Sequence, residues 1–211
     1  VTTLIAVAAL SALIHVRAEY RGPRWQVYLF KPLTTTLLLL AAVLAPAAHG
    51  PGYRMCIAAG LACSLVGDIL LMLPQDRFLA GLGTFLLAHV AYVAGFGSRA
   101  EIGVHPTVLI PLLAAALVLL RMLWPGLGRL RAPVLIYTVV ILVMVWTAWN
   151  WQLTRSSPGA TLAAVGATLF MGSDAILALN RFQRPFRSAQ ALVMSTYVAA
   201  QALISLSVGV A

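Results

Sequence analysis

Two aspartates, Asp68 and Asp174, stand inside apolar runs 106 positions apart and in matching settings. Asp68 lies in SLVGDILLML and is followed, after a tight turn at 74–78, by an apolar run carrying His89 and Tyr92. Asp174 lies in MGSDAILALN, and the run after it carries Tyr197 and Gln201. A carboxyl group in an apolar segment has no water to solvate its charge, so it persists mainly where it has a task or a partner. Two such groups suit general acid–base chemistry. One holds a proton to donate, and the other, ionised, steadies a cation or takes a proton from water, as paired carboxyls do in glycoside hydrolysis.

The elements that must position these groups follow from composition. Hydrophobic residues make up 62% of the 211 positions and charged residues 9%, against roughly 25% charged in a soluble domain. The chain is therefore an all-α polytopic membrane protein. At roughly 20 apolar residues per crossing, eight helices are expected near 1–16, 29–48, 53–73, 78–97, 104–124, 133–151, 159–180 and 188–210. They fill 1–211 as a single transmembrane domain, with no room for a soluble one.

The formal charge of +9 reports topology, not a nucleic-acid partner. Eleven of the 14 cations lie in connections after the odd-numbered helices, and only Arg54, Arg99 and Arg155 lie in the others. The positive-inside rule then expects the basic connections in the cytoplasm and both termini outside. The first run lacks a basic leader and carries its cations after it, so it reads as an uncleaved outward-starting anchor rather than a signal peptide. Cys56 and Cys63, seven apart on one helix, are too distant for a mutual disulfide and read as packing residues.

Along the chain, His15 is expected to be a solvated residue at the end of helix 1, with Tyr20, Trp25 and Tyr28 forming an aromatic belt. Lys31 and Pro32 are expected in the first turn of helix 2, with Lys31 snorkelling to the interface. Lys31 and Arg77 could also hold a phosphate headgroup. On helix 3, Ala59, Cys63 and Gly67 form one small-residue stripe and Gly60, Ser64 and Asp68 another, so a neighbouring helix can approach closely. Phe85, His89, Tyr92 and Phe96 share a face of helix 4 that can meet the Asp68 stripe.

Pro111 is expected to kink helix 5. Helix 6 offers Tyr137, whose hydroxyl an aspartate could accept, and Trp146, Trp149 and Trp151, which read as an outer interfacial belt. Gln190, Met194, Tyr197 and Gln201 share a face of helix 8. An offset of four helices between the two aspartate settings implies a parallel repeat, 1–100 and 104–211, about an axis along the membrane normal.

GDILLML, FLAGLGTFLLAHVAYVAGF, SDAILA and TYVAAQALI, with Lys31-Pro32, together resemble the lysoplasmalogenase (YhhN-like) family of integral membrane hydrolases. The likeness runs from about helix 2 to helix 8. It implies cleavage of the vinyl ether bond of lysoplasmalogens, with lysoplasmenyl-ethanolamine or -choline giving a fatty aldehyde and a glycerophospho-headgroup, and no required cofactor. Carried onto this chain, the functional positions are Asp68 and Asp174, with Lys31, His89, Tyr92, Ser173, Tyr197 and Gln201 around them. A bacterial inner-membrane location is expected, and the depth of both aspartates near the basic connections puts the site towards the cytoplasmic side.

That chemistry is consistent with the residues. A vinyl ether hydrolyses by slow proton transfer to its β-carbon, and the resulting oxocarbenium ion is trapped by water. Which aspartate is the acid stays open in the sequence; Asp174 as acid, with Asp68 as base or electrostatic stabiliser, is favoured on the expectation that His89 and Tyr92 return beside Asp68 and keep it ionised. Tyr197 and Gln201 would orient water or substrate. The rival from another class is a proton-coupled transporter, which also uses repeats and buried carboxylates. Its sites favour the midplane and broken helices, whereas both aspartates lie towards one side on proline-free helices. A zinc hydrolase would want about three protein ligands, and only His89 joins the aspartates at depth. No metal site is expected, a passive lipid-binding bundle stays open, and oligomeric state is not legible.

Overall fold

The computed structural model describes residues 1–101 and 103–211. Among these the regular structure is all helical: α1 (Thr2–Arg21), α2 (Arg24–Leu44), α3 (Pro51–Met72), α4 (Phe78–Gly97), α5 (Pro106–Leu123), α6 (Arg131–Arg155), α7 (Pro158–Phe182) and α8 (Ala189–Leu206), with two 3₁₀ turns between α5 and α6. All eight α-helices are long and apolar enough to cross a membrane. Pro51, Pro106 and Pro158 open α3, α5 and α7, where the missing N–H removes a donor that has no helical partner anyway. Ser157 adds a side-chain cap, accepting from the Ala160 N–H at 3.2 Å.

Two boundaries move residues singled out in the sequence. α2 begins at Arg24, so Pro32 lies inside the helix and not in its first turn. The amphipathic segment 24–30 extends the helix before the apolar run begins. α1 continues to Arg21 and carries His15 to a position 1% exposed. There its Nε2 lies 3.7 Å from Glu19 one turn on, so His15 is enclosed and not solvated. α5 continues as helix through Pro111.

Helices α2, α3, α4, α6, α7 and α8 form a ring that closes where α8 packs on α2. α1 lies outside the ring against α2 and α8, and α5 lies outside it against α6 and, less extensively, α7. The small residues of α3 explain the closeness of α4. A methyl group on Gly60 would sit 2.2 Å from Tyr92 Cε1, and one on Gly67 would sit 2.6 Å from Phe85 Cε2. Glycine at those two places lets the α4 rings enter the α3 surface, the close approach that small residues permit in membrane bundles.

Phe170 sits at the centre of the ring. Its side chain meets His89, Tyr92, Phe85 and Tyr197 with ring centroids 4.7 to 6.3 Å apart, within the range of favourable edge-on aromatic pairs. Trp151 is also core, 1% exposed and packed edge-on against His49 and Tyr53. It does not join an interfacial belt, because the connection 45–50 folds over it.

Candidate functional site

Asp68 is 2% exposed and faces α2 and α8. Thr35 donates to its Oδ2 at 2.6 Å and Tyr197 donates to the same oxygen at 2.8 Å, while Lys31 Nζ lies 3.9 Å from Oδ1. Lys31 and Thr35 are one helical turn apart on α2 and so share a face. Both carboxyl oxygens thus meet a donor or a cation, an arrangement that suits an acceptor-only carboxylate. Thr35 was missed by sequence reasoning. It is the middle of three consecutive threonines, and only its spacing of four from Lys31 sets it apart.

Asp174 is met from α6 and α4. Tyr137 donates to its Oδ2 at 2.5 Å, and His89 Nε2 lies 3.7 Å from the same oxygen. Among the described residues no donor reaches Oδ1, which leaves an oxygen able to hold a proton. Its side chain is 16% exposed and reaches the cavity described below. His89 is enclosed between the Tyr137 and Phe170 rings.

The expected placement of His89 and Tyr92 beside Asp68 is corrected on both counts. His89 turns to Asp174, and Tyr92 donates to Gln201 Oε1 at 2.7 Å. The α4 face does meet α3, but through Phe85 and Tyr92 against the glycines. His89 lies between them on the helix and points across the ring towards α6 and α7. Gln201 therefore holds α4 to α8 and lines neither cavity described below, and Ser173 ties α7 to α8 by donating to the Val193 carbonyl at 3.0 Å.

Asp68 and Asp174 line one cavity of about 540 Å³, together with Lys31, Ser173, Met194 and Tyr197. Its outer wall is the turn 74–78 and the end of α7, including Arg77, Asn180 and Arg181. Arg181 donates to Asp76 at 2.5 Å and stacks over the Phe78 ring, and that guanidinium holds the Asp76 carboxyl below its ordinary value. A second, apolar cavity of about 180 Å³ adjoins the first, and Asp174 lines both. Among the described residues there is no group of three or more His, Cys, Asp or Glu placed to hold a metal ion.

Paired carboxyls on one cavity, one met by two hydroxyl donors and a lysine and the other by a single hydroxyl donor and a histidine, have the unequal environments that general acid–base chemistry uses. The cavity opens at the end of the bundle that carries most of the cations.

The YhhN family model matches residues 26–208. The chain is 37% identical to the membrane protein YhhN of Escherichia coli over 92% of this chain and 93% of that one. It is 36% identical to lysoplasmalogenase TMEM86B of Sus scrofa and 32% identical to lysoplasmalogenase TMEM86A of Bos taurus, covering 88% of this chain in each case and 76% and 79% of theirs. No solved structure matches it. The chain is thus an integral membrane protein and belongs to the YhhN family.

Proposed function

We propose that this protein is a lysoplasmalogenase, an ether hydrolase that cleaves the vinyl ether bond of a single-chain plasmalogen with Asp174 as general acid and Asp68 as carboxylate. The observation that carries the reading is that both aspartates line one cavity at the basic end of the bundle, in a chain whose relatives include lysoplasmalogenases. The transporter alternative has no such support.

Asp174 donates its proton to the β-carbon of the vinyl ether, and the α-carbon becomes an oxocarbenium ion bonded to the glycerol oxygen. Asp68, held by Thr35, Tyr197 and Lys31, keeps a negative charge facing the cavity that steadies this cation. One water adds to the cationic carbon and gives up a proton to a carboxylate. The hemiacetal then breaks its bond to the glycerol oxygen, which takes a proton as the hemiacetal hydroxyl loses one and becomes the aldehyde carbonyl. One water is consumed, no net proton is used, and the products are a fatty aldehyde and a glycerophospho-headgroup.

Lys31, Arg77 and Arg181 on the cavity wall are suited to the phosphate. The positive-inside rule favours a cytoplasmic mouth, outward termini and, in a bacterium, the inner membrane. A parallel repeat would relate α2–α3–α4 to α6–α7–α8, and the order of the ring is compatible with it. The test is purified protein in detergent supplied with lysoplasmenyl-ethanolamine, with aldehyde followed by a coupled dehydrogenase. Turnover is expected, and its absence from folded protein overturns the reading.

A further inference from the structure

The two adjoining cavities differ sharply in chemistry. The larger is walled by Lys31, Asp68, Arg77 and Tyr197, whereas the smaller is walled by Leu82, Ala116, Leu119, Ile141 and Gly172. They share Leu71, Phe78, Phe85, Leu177 and Asp174, which makes Asp174 the one carboxyl group common to both. A molecule with one polar and one hydrocarbon end can lie across that seam, and the bond where its two ends join then falls beside Asp174.

We propose that the slot between α5 and α4, α6 and α7 is the subsite for the hydrocarbon chain of the lipid, and that Gly172 sets how its first carbons are held. This rests on the function proposed above. Capacity sets the extent of the subsite. A slot of about 180 Å³ takes only the first part of a long alkenyl chain. A longer chain must leave the slot, and the exposed Ala115 on its wall marks the α5 flank as the way into lipid. Because α5 stands outside the ring and packs chiefly on α6, the chain can pass there without parting two ring helices.

The slot does not add affinity by removing the chain from water, since lipid tails already surround it. Its effect is positional: it holds the vinyl ether against Asp174 and restrains the chain from bending into the polar cavity. Gly172 is the place to test this. A methyl group there would meet nothing within 4 Å, so a side chain at this position starts out in open space on the slot wall.

The experiment uses a non-cleavable 1-O-alkyl glycerophosphoethanolamine with a photoreactive diazirine on one of the first chain carbons, bound to purified full-length protein, with labelled residues read by mass spectrometry. Wild-type labelling is expected on slot residues such as Ala116, Ile141 and Ala175, and Gly172→Leu should cut it at least tenfold. Ala116→Leu, on the opposite wall, should do the same. The preference for long over short alkenyl chains should be lost in either variant, because the first chain carbons are no longer held.

Labels confined to outward-facing residues such as Leu13 or Val139, or slot labelling unchanged in both variants, overturn the subsite. Slot labelling in a wild type that releases no aldehyde keeps the subsite and overturns the hydrolase reading alone.

Discussion

Replacing Asp174 by asparagine tests the acid directly while changing little else. The side chains are nearly isosteric, and the asparagine carbonyl can still accept the Tyr137 hydroxyl now 2.5 Å from Asp174 Oδ2. The amide nitrogen takes the place of Oδ1, which no donor occupies among the described residues, so folding stability should change by less than about 1 kcal/mol. What disappears is the transferable proton. A positioned general acid contributes about 10²- to 10⁴-fold, which at about 1.36 kcal/mol per tenfold raises the barrier by about 3 to 5 kcal/mol. In the coupled aldehyde assay the variant should fall at least 100-fold in kcat with KM little altered. Tyr137→Phe is the companion, since it removes one hydrogen bond worth about 1 kcal/mol and should cost about fivefold. A folded Asp174→Asn protein that keeps more than about a tenth of wild-type turnover would refute the assignment of the acid.

Asp68→Asn should also abolish aldehyde release, by about 10²- to 10³-fold for a lost preorganised charge. It should melt lower as well, because Lys31 is left without its counter-ion; unchanged turnover speaks against the carboxylate role. Gly60→Val should destabilise by about 3 kcal/mol or more, since the Tyr92 ring it would strike is held by Phe96, Phe170 and the bond to Gln201; a wild-type melting temperature in detergent contradicts the close α3–α4 packing. At the opposite end of the bundle, burial holds the His49 imidazole below its ordinary value, against a raising contribution from its bond to the Val210 carbonyl. The unfolded chain therefore takes up the proton first as pH falls through about 6.5, and stability is lost on acidification. Melts of wild type and His49→Gln across that range should diverge, and parallel curves dispose of the linkage.

Much of the fold is legible from local physics alone. Eight apolar runs, basic connections after alternate runs and prolines where helices begin specify the number and approximate extent of the helices, because backbone groups in a bilayer must be satisfied within each segment. The α3 stripes mark a close helix partner, and a short turn makes that partner α4. The suspect carboxyls stand out because charge is so costly in such segments.

What the chain by itself cannot specify is which partner each polar group meets, since that depends on the rotation of every helix about its axis. His89 and Tyr92 share a face by periodicity, yet the ring directs one to Asp174 and the other to Gln201. Thr35 gains its place only because α2 lies against α3, and Trp151 is enclosed only because a distant connection covers it. Residue type and spacing thus determined that two carboxyl groups would be buried near one end of the bundle. Tertiary packing alone decided that they line a common cavity, how many donors each receives, and that an apolar slot meets the polar one at Asp174, because those are relations between helices that no single helix encodes.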